Sequence, residues 1–366
     1  TYISNTIMKN NKALSRVPQS LSFDNKALNR TYGEEAAIIR DIIVYVANNQ
    51  MINLFGEVEF SISEFCDVMG YNRTTLARTL EKFREGDAPQ IDEHKFDSTF
   101  EYALFRGLKE NVVFKRKRDG KETFESVQII EKLDVLYDKT TRKLNKRIYN
   151  IRLGSKILDY LFTEYNLIDF NEYRNIRSQQ ISVTGSLRNF YIFMARVITQ
   201  VKYNKKIGAG DSFIISIDDL CGIYGVEIET AKDKKKYITR ILNNMNKELS
   251  NLKYDWQYVK NGYRYAYFVE FKFTDKTLEY FDEQLKSVFF KQLYGNLKYI
   301  FLHAGKDASI ENYKNMSEKY ANMDREKYME WFFSDDEDKA EKLKAFHDTY
   351  LKVYGCHYNE ENNFLF

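Results

Sequence analysis

The chain has 366 residues, 43% hydrophobic and 30% charged, which is enough for two or three packed domains and too apolar for a disordered chain. The net charge of +3 is unevenly spread, +5 over residues 1–285 (44 Lys and Arg against 39 Asp and Glu) and −2 over the rest (12 against 14). No apolar run approaches the roughly 18 residues that span a bilayer, no signal-peptide core opens the chain, and Cys66, Cys221 and Cys356 lack metal-ligand spacing, so a cytoplasmic protein without a membrane partner is expected.

Residues 1–30 are polar and basic, with Lys9, Lys12, Arg16, Lys26 and Arg30, and read as a loosely held arm. A helix is predicted from Glu34 to Asn49, with Ile38, Ile42, Tyr45 and Val46 along one side. Glu57–Phe60 reads as a strand that feeds Ser61-Ile-Ser-Glu-Phe-Cys-Asp-Val-Met-Gly70. Ser61 and Glu64 form a capping box that opens a short helix, and Gly70 closes it. The next helix is predicted over Asn72–Arg84, burying Leu76, Leu80 and Phe83 and turning Thr74, Thr75, Arg78 and Lys82 outward. Residues 85–110 read as an acidic, irregular insertion.

A hairpin follows, with strands Val112–Arg118 and Lys121–Ile130 around an Asp119-Gly120 turn. Lys115, Arg116, Lys117 and Arg118 are consecutive, so on a strand they point to both faces. Burying half of them would be costly, which leaves this tip in water or beside phosphates. Lys146–Leu153 reads as a strand and Ser155–Phe162 as a helix, together a close connector. Another helix is predicted over Ser186–Lys202.

Ser216-Ile-Asp-Asp-Leu-Cys-Gly-Ile-Tyr-Gly225 then repeats the phrase that began at Ser61. In the helix beyond it, over Lys232–Leu252, the apolar Ile238, Ile241, Leu242, Met245, Leu249 and Leu252 share an arc of about 100°. Lys236, Arg240, Asn243 and Lys247 lie on the far side, with Asn244 beside them. Tyr254, Trp256 and Tyr258 alternate as a strand, Asn261-Gly262 supplies a tight turn, and Tyr263–Phe273 runs back, placing Lys260 and Arg264 near the tip. Beyond Thr274 the chain reads as helical and rich in Tyr and Phe, with an acidic knot at Asp335-Asp336-Glu337-Asp338.

The order helix, strand, helix, helix, hairpin thus occurs twice. It predicts an α+β fold of two tandem winged-helix domains related by an internal repeat. These are residues 31–153 and residues 154–275, the second opening on the connecting helix. The basic arm, residues 1–30, precedes them and a C-terminal helical extension, residues 276–366, follows. A cationic helix before a basic hairpin suits double-stranded DNA, the helix entering the major groove and the hairpin holding phosphates. The candidate DNA contacts are therefore the fifteen polar and cationic positions named on the two helices and the two hairpins. No phosphate loop occurs, and His94, His303, His347 and His357 are scattered. Neither catalysis nor a metal or other cofactor is expected.

Three segments carry a resemblance to a known family. Ser186-Leu-Arg-Asn-Phe-Tyr-Ile-Phe-Met-Ala-Arg196, Lys235–Leu249 and Tyr254–Phe271 resemble a patterned helix, the long recognition helix and the hairpin of iteron-binding plasmid replication initiator (Rep) proteins. The resemblance covers about residues 31–275. Phe190 and Ala195 depart from the first pattern, and Asn261-Gly262-Tyr263-Arg264 approximates the last. It implies binding of directly repeated origin sequences, initiation of replication of a plasmid or mobile element, control through monomer and homodimer forms, and recruitment of host helicase machinery. The competing expectations are a tandem winged-helix transcriptional repressor and, from another class, an origin-nicking or primer-synthesising enzyme.

Overall fold

Leu14–Pro18 forms the first strand, β1, and its partner lies far ahead in the chain at Tyr165–Asp169. The computed structural model describes residues 14–24, 26–53, 57–118, 121–136, 147–260 and 267–284, with residues 344, 345, 348 and 349 near the C-terminus. After β1 come two short helices, α1 (Ser20–Phe23) and α2 (Ala27–Tyr32). Residues 14–32, most of them expected in a loose arm, are therefore part of the fold. Val17, Leu21, Ala27 and Leu28 are buried, and even Arg16 is inside, donating to the Leu161 carbonyl at 3.0 Å. Its guanidinium lies 3.9 Å from the centre of the Tyr165 ring. Residues 1–13 lie outside the described residues.

Helix α3 (Ala36–Asn53), strand β2 (Glu57–Ser61) and helix α4 (Ile62–Met69) follow the expected order. Both halves of the capping box form: the Ser61 amide donates to the Glu64 carboxylate at 2.9 Å and the Glu64 amide to Ser61 Oγ at 3.2 Å. Gly70 ends α4 at φ 73°, a left-handed conformation that glycine adopts without penalty.

The helix expected over Asn72–Arg84 is instead one short turn, α5 (Arg73–Ala77). Arg78 is extended, and its carbonyl accepts from the Thr99 amide at 3.1 Å, while the Leu80 amide donates to the Asp97 carbonyl at 2.9 Å. These bonds to a distant segment replace the helical ones, and the β-branched Thr79 between them suits an extended backbone. Of the expected buried stripe only Leu76 is buried. After a small hairpin, β3 (Gln90–Ile91) and β4 (His94–Lys95), the stretch read as irregular contains a regular helix, α6 (Thr99–Lys109). Ser98 caps it, accepting from the Glu101 amide at 3.2 Å, and Phe100, Ala103 and Leu104 are buried.

Strands β5 (Asn111–Arg118), β6 (Lys121–Gln128), β7 (Ile130–Leu136) and β8 (Ile148–Leu153) come next. Helix α7 (Ser155–Thr163), strand β9 (Tyr165–Asp169) and helix α8 (Phe170–Asn175) lead to the long helix α9 (Ile181–Lys206). The second half continues with β10 (Ser212–Ser216), α10 (Ile217–Tyr224), α11 (Ala231–Glu248), β11 (Tyr254–Lys260), β12 (Tyr267–Phe273) and α12 (Asp275–Gln284). The turn read at Asn261-Gly262 and the acidic knot at 335–338 lie outside the described residues.

The architecture is α+β with small antiparallel sheets. Two are three-stranded and share one order, β2-β8-β7 and β10-β12-β11. This match corrects the expected hairpin of the first half. The counterpart of β11–β12 is β7–β8, and β5–β6, with the Lys115–Arg118 run, is a separate two-stranded ribbon inserted before it. Ile148–Leu153, within the stretch read as a connector, supplies the central strand, and Tyr149, Ile151 and Leu153 alternate into the core.

The halves meet where α3 crosses α9. A Cβ on Gly185 would lie 2.5 Å from that of Ala37, so only glycine permits this approach. Beside the crossing, Arg188 on α9 pairs with Asp41 on α3, both side chains fully buried. Asp41 also accepts from the hydroxyls of Tyr71 and Tyr173, the latter at 2.6 Å. Arg188 donates further to the carbonyls of Met69 (2.7 Å), Arg174 (2.9 Å) and Ile176 (3.1 Å). Burial alone would lower the Arg188 pKa, but Asp41, Tyr71 and Tyr173 together outweigh it and raise it. Arg188→Met should therefore cost about 3–5 kcal/mol, because it removes the cation paired with the buried Asp41 carboxylate. Urea unfolding of Arg188→Met and of Asp41→Leu/Arg188→Met checks this. The double variant should regain much of the loss, and an equal loss in both would assign it to packing alone.

Candidate nucleic-acid interface

Helix α11 starts at Thr230, whose hydroxyl accepts from the Asp233 amide at 3.1 Å. Ile238, Leu242 and Met245 fasten it to the core. The opposite side is open: Lys236, Arg240, Asn243, Asn244 and Lys247 are all exposed. The row from 236 to 247 runs about 16 Å along the helix. Among the described residues, no carboxylate pairs with Lys236, Arg240 or Lys247.

The neighbouring polar residues are occupied in holding the helix. Lys234 pairs with Asp218 at 2.6 Å. Lys235 lies over the rings of Tyr258 and Tyr267, 4.6 and 4.8 Å from their centres, and so ties α11 to both strands of the hairpin. Asn246 turns back and donates to the Tyr254 carbonyl at 2.9 Å. At the far end the Glu172 carboxylate accepts from the amides of Ser250, Asn251 and Leu252, and Asp169 accepts from the Asn251 side chain at 2.7 Å. Neither acid is visible as a support in the sequence, because the residues they hold lie some eighty positions later. Lys260 is exposed at the end of β11, opposite Tyr267, and Arg264 lies outside the described residues.

The first half offers no equivalent row. Thr74 and Thr75 are exposed on α5, and Arg78 sits at its extended end, 3.3 Å from Glu81. Lys82 lies in a single 3-10 turn, Glu81–Phe83, and is engaged elsewhere, 3.7 Å from Glu35 and 3.9 Å above the centre of the Tyr102 ring. The last helix before the β7–β8 hairpin is α6, and the chain ahead of it folds across its outer side. Phe83 meets Tyr102 edge to face at 4.9 Å, and Phe96 meets Phe105 at 5.3 Å. Within α6, burial would raise the Glu101 pKa, but His94 and Arg147 outweigh it and hold the carboxyl below its ordinary value.

The β5–β6 ribbon stands on α2. The Lys115 amide donates to Asp24 at 2.9 Å, and Arg30 donates to the Val113 carbonyl at 3.2 Å. Lys115 is exposed, its ammonium 5.8 Å from the centre of the exposed Phe124 ring. Arg116, Lys117 and Arg118 continue β5 opposite Thr123, Glu122 and Lys121. Among the described residues, no helix is long and apolar enough to cross a membrane.

No protein-family model and no curated protein matches the chain. Among solved structures it is similar to the Pi initiator protein in complex with iteron DNA, with TM-score 0.43 and 10% identity over 73% of this chain and 99% of that one. It is also similar to domains 2 and 3 of RctB, with TM-score 0.33 and 7% identity over 65% of this chain and 80% of that one. A further structure of the RctB domains matches with TM-score 0.29 and 8% identity, over 67% and 84%.

The clamp on the end of α11 can be tested directly. Glu172→Gln keeps the shape but cannot accept strongly from three amides, so the amides of residues 249–252 should exchange about ten times faster or more. Hydrogen exchange read by mass spectrometry checks it. Unchanged protection would make the carboxylate dispensable.

Proposed function

We propose that the chain binds double-stranded DNA sequence-specifically at directly repeated origin sequences and initiates replication of a plasmid or mobile element, without enzymatic activity of its own. The observation that carries this reading is the open row on α11, cationic and amide-bearing, on a helix clamped at both ends beside a hairpin. A major groove about 12 Å wide admits such a helix. Arg240 and Asn243 suit the edges of guanine and adenine, while Lys236, Asn244 and Lys247 flank them toward phosphates. Lys260 and Arg264 hold backbone from the hairpin.

In this reading the two matching sheets belong to tandem winged helices. The first contributes Thr74, Thr75 and Arg78, and the ribbon Lys115–Arg118 holds phosphates without reading sequence. Lys82, held by Glu35 and Tyr102, is left out. Recruitment of host helicase machinery and control through a homodimer follow from the family resemblance and belong to the same proposal.

Two measurements test it. Arg240→Ala should lose about 1–3 kcal/mol on DNA flanking the native gene and little on random DNA. Equal weakening on both, read by fluorescence anisotropy, would reduce Arg240 to a phosphate contact.

The second concerns the pair of units. The Asp41–Arg188 junction fixes their separation, so one chain should protect about two turns of duplex, roughly 20 base pairs. Inserting about 5 base pairs in the middle of that region rotates one half-site to the opposite face. Binding should then collapse to the affinity of a single unit. A footprint of one turn, unaffected by the insertion, would remove the first unit from the interface.

A further inference from the structure

Away from the α11 row, a cavity of about 690 Å³ runs beside β10 and is lined by Phe213, Ile214, Ile215 and Ser216. Successive residues of a strand face opposite ways, so the cavity meets side chains from both faces of β10, and it reaches Phe268 of β12 beside Ser216. β10 is the outer strand of its sheet, bonded among the described residues to β12. Helix α9 contributes Phe193 and Arg196 to the other wall, and the N-terminal segment contributes Ser22 and Lys26.

The corresponding outer strand of the first half is β2, bonded to β8. Aligned on the two capping serines, β2 carries Glu57 and Glu59 where β10 carries Ser212 and Ile214. Charged residues on an outer strand discourage pairing with a further strand. β10 lacks that protection, and Ile214 is 53% exposed. The walls carry two cations, Lys26 and Arg196, against one acid, Asp219, which is already bonded to the Ser216 hydroxyl at 2.7 Å.

We propose that β10 is a docking strand for an extended peptide segment of a protein partner in which acidic and aliphatic residues alternate. The segment adds to the sheet as a fourth strand through main-chain hydrogen bonds. Its aliphatic side chains meet Phe193 and Phe213, and its carboxylates meet Lys26 and Arg196. The α11 row takes no part, so docking and duplex binding occupy separate faces.

The test is a titration of the full chain against a fluorescein-labelled Glu-Val-Asp-Val-Glu-Val peptide, with Lys-Val-Lys-Val-Lys-Val as control. The acidic peptide should bind saturably and the basic one should not. Lys26→Glu and Ile214→Glu should each weaken binding at least about tenfold, with duplex binding unchanged. Both side chains are exposed, so melting temperatures should match that of the unaltered chain. Equal binding of the two peptides, no binding of the acidic one, or indifference to both substitutions overturns the proposal. So does a concentration-dependent dimer in sedimentation that Ile214→Glu abolishes, because a second copy would then cover the edge.

Discussion

A charge pair taken entirely out of water, Asp41 with Arg188, is the constraint on which the relation between the halves depends. Such a pair survives burial only if its remaining hydrogen-bonding capacity is met, and here each partner is surrounded. Two tyrosine hydroxyls meet the carboxylate, and three carbonyls from the end of α4 and the connector around α8 meet the guanidinium. Sliding α9 along α3 by even one turn would strand both charges. Hydrophobic burial would tolerate several registers of two helices, whereas this set of directed bonds tolerates one. Gly185 acts in the same sense, since the helices approach closely only where it faces Ala37. β1 and β9 fasten the halves a second time.

Within that frame the two halves share a strand order and differ in what they expose. In the second, the helix before the hairpin keeps its cationic side open, with Asp233 accepting at its cap and Asp218 of α10 holding Lys234. In the first, the corresponding helix is covered by residues 80–96, and its one interior acid, Glu101, is neutralised by Arg147 at 2.7 Å. The same topology therefore supports a helix with an open cationic side in one half and a covered structural helix in the other. Inserting the β5–β6 ribbon after α6 moves the first half's cations onto a two-stranded arm.

What the sequence made legible was local chemistry. The phrases from Ser61 and Ser216 form the short helices they announce, down to the left-handed glycines, because caps and stops are set within ten residues. The stripe on α11 is likewise contained in its own spacing. Two of the failures share one cause, pairing with a distant segment. Leu76, Leu80 and Phe83 have helical spacing, yet bonds to residues 97–99 break the helix at Arg78. Arg118 and Lys121 pair on either side of Asp119-Gly120, which itself lies outside the described residues, but a hairpin signal does not say whether its strands join the main sheet. That was decided by β8 pairing back to β2. Helix α6 could have been found, since Ser98 and Glu101 mark a start and Phe100, Ala103 and Leu104 mark a face.

The net charge of +3 conceals the cationic row on α11 for a related reason. A sum over the chain counts buried charges and surface charges alike, although only the latter act at a distance. Among the described residues, Glu35, Asp41, Glu101, Asp169 and Glu172 are buried, against Arg16, Arg40 and Arg188. These acids serve the fold: Asp41 joins the halves, Glu101 anchors α6, and Asp169 and Glu172 hold the end of α11. Placing them inside removes negative field from the surface, and the last two do so while aligning the helix whose cations remain outside. The carboxylates that stiffen α11 are thus kept away from its open row, so rigidity and positive potential come from one arrangement of side chains.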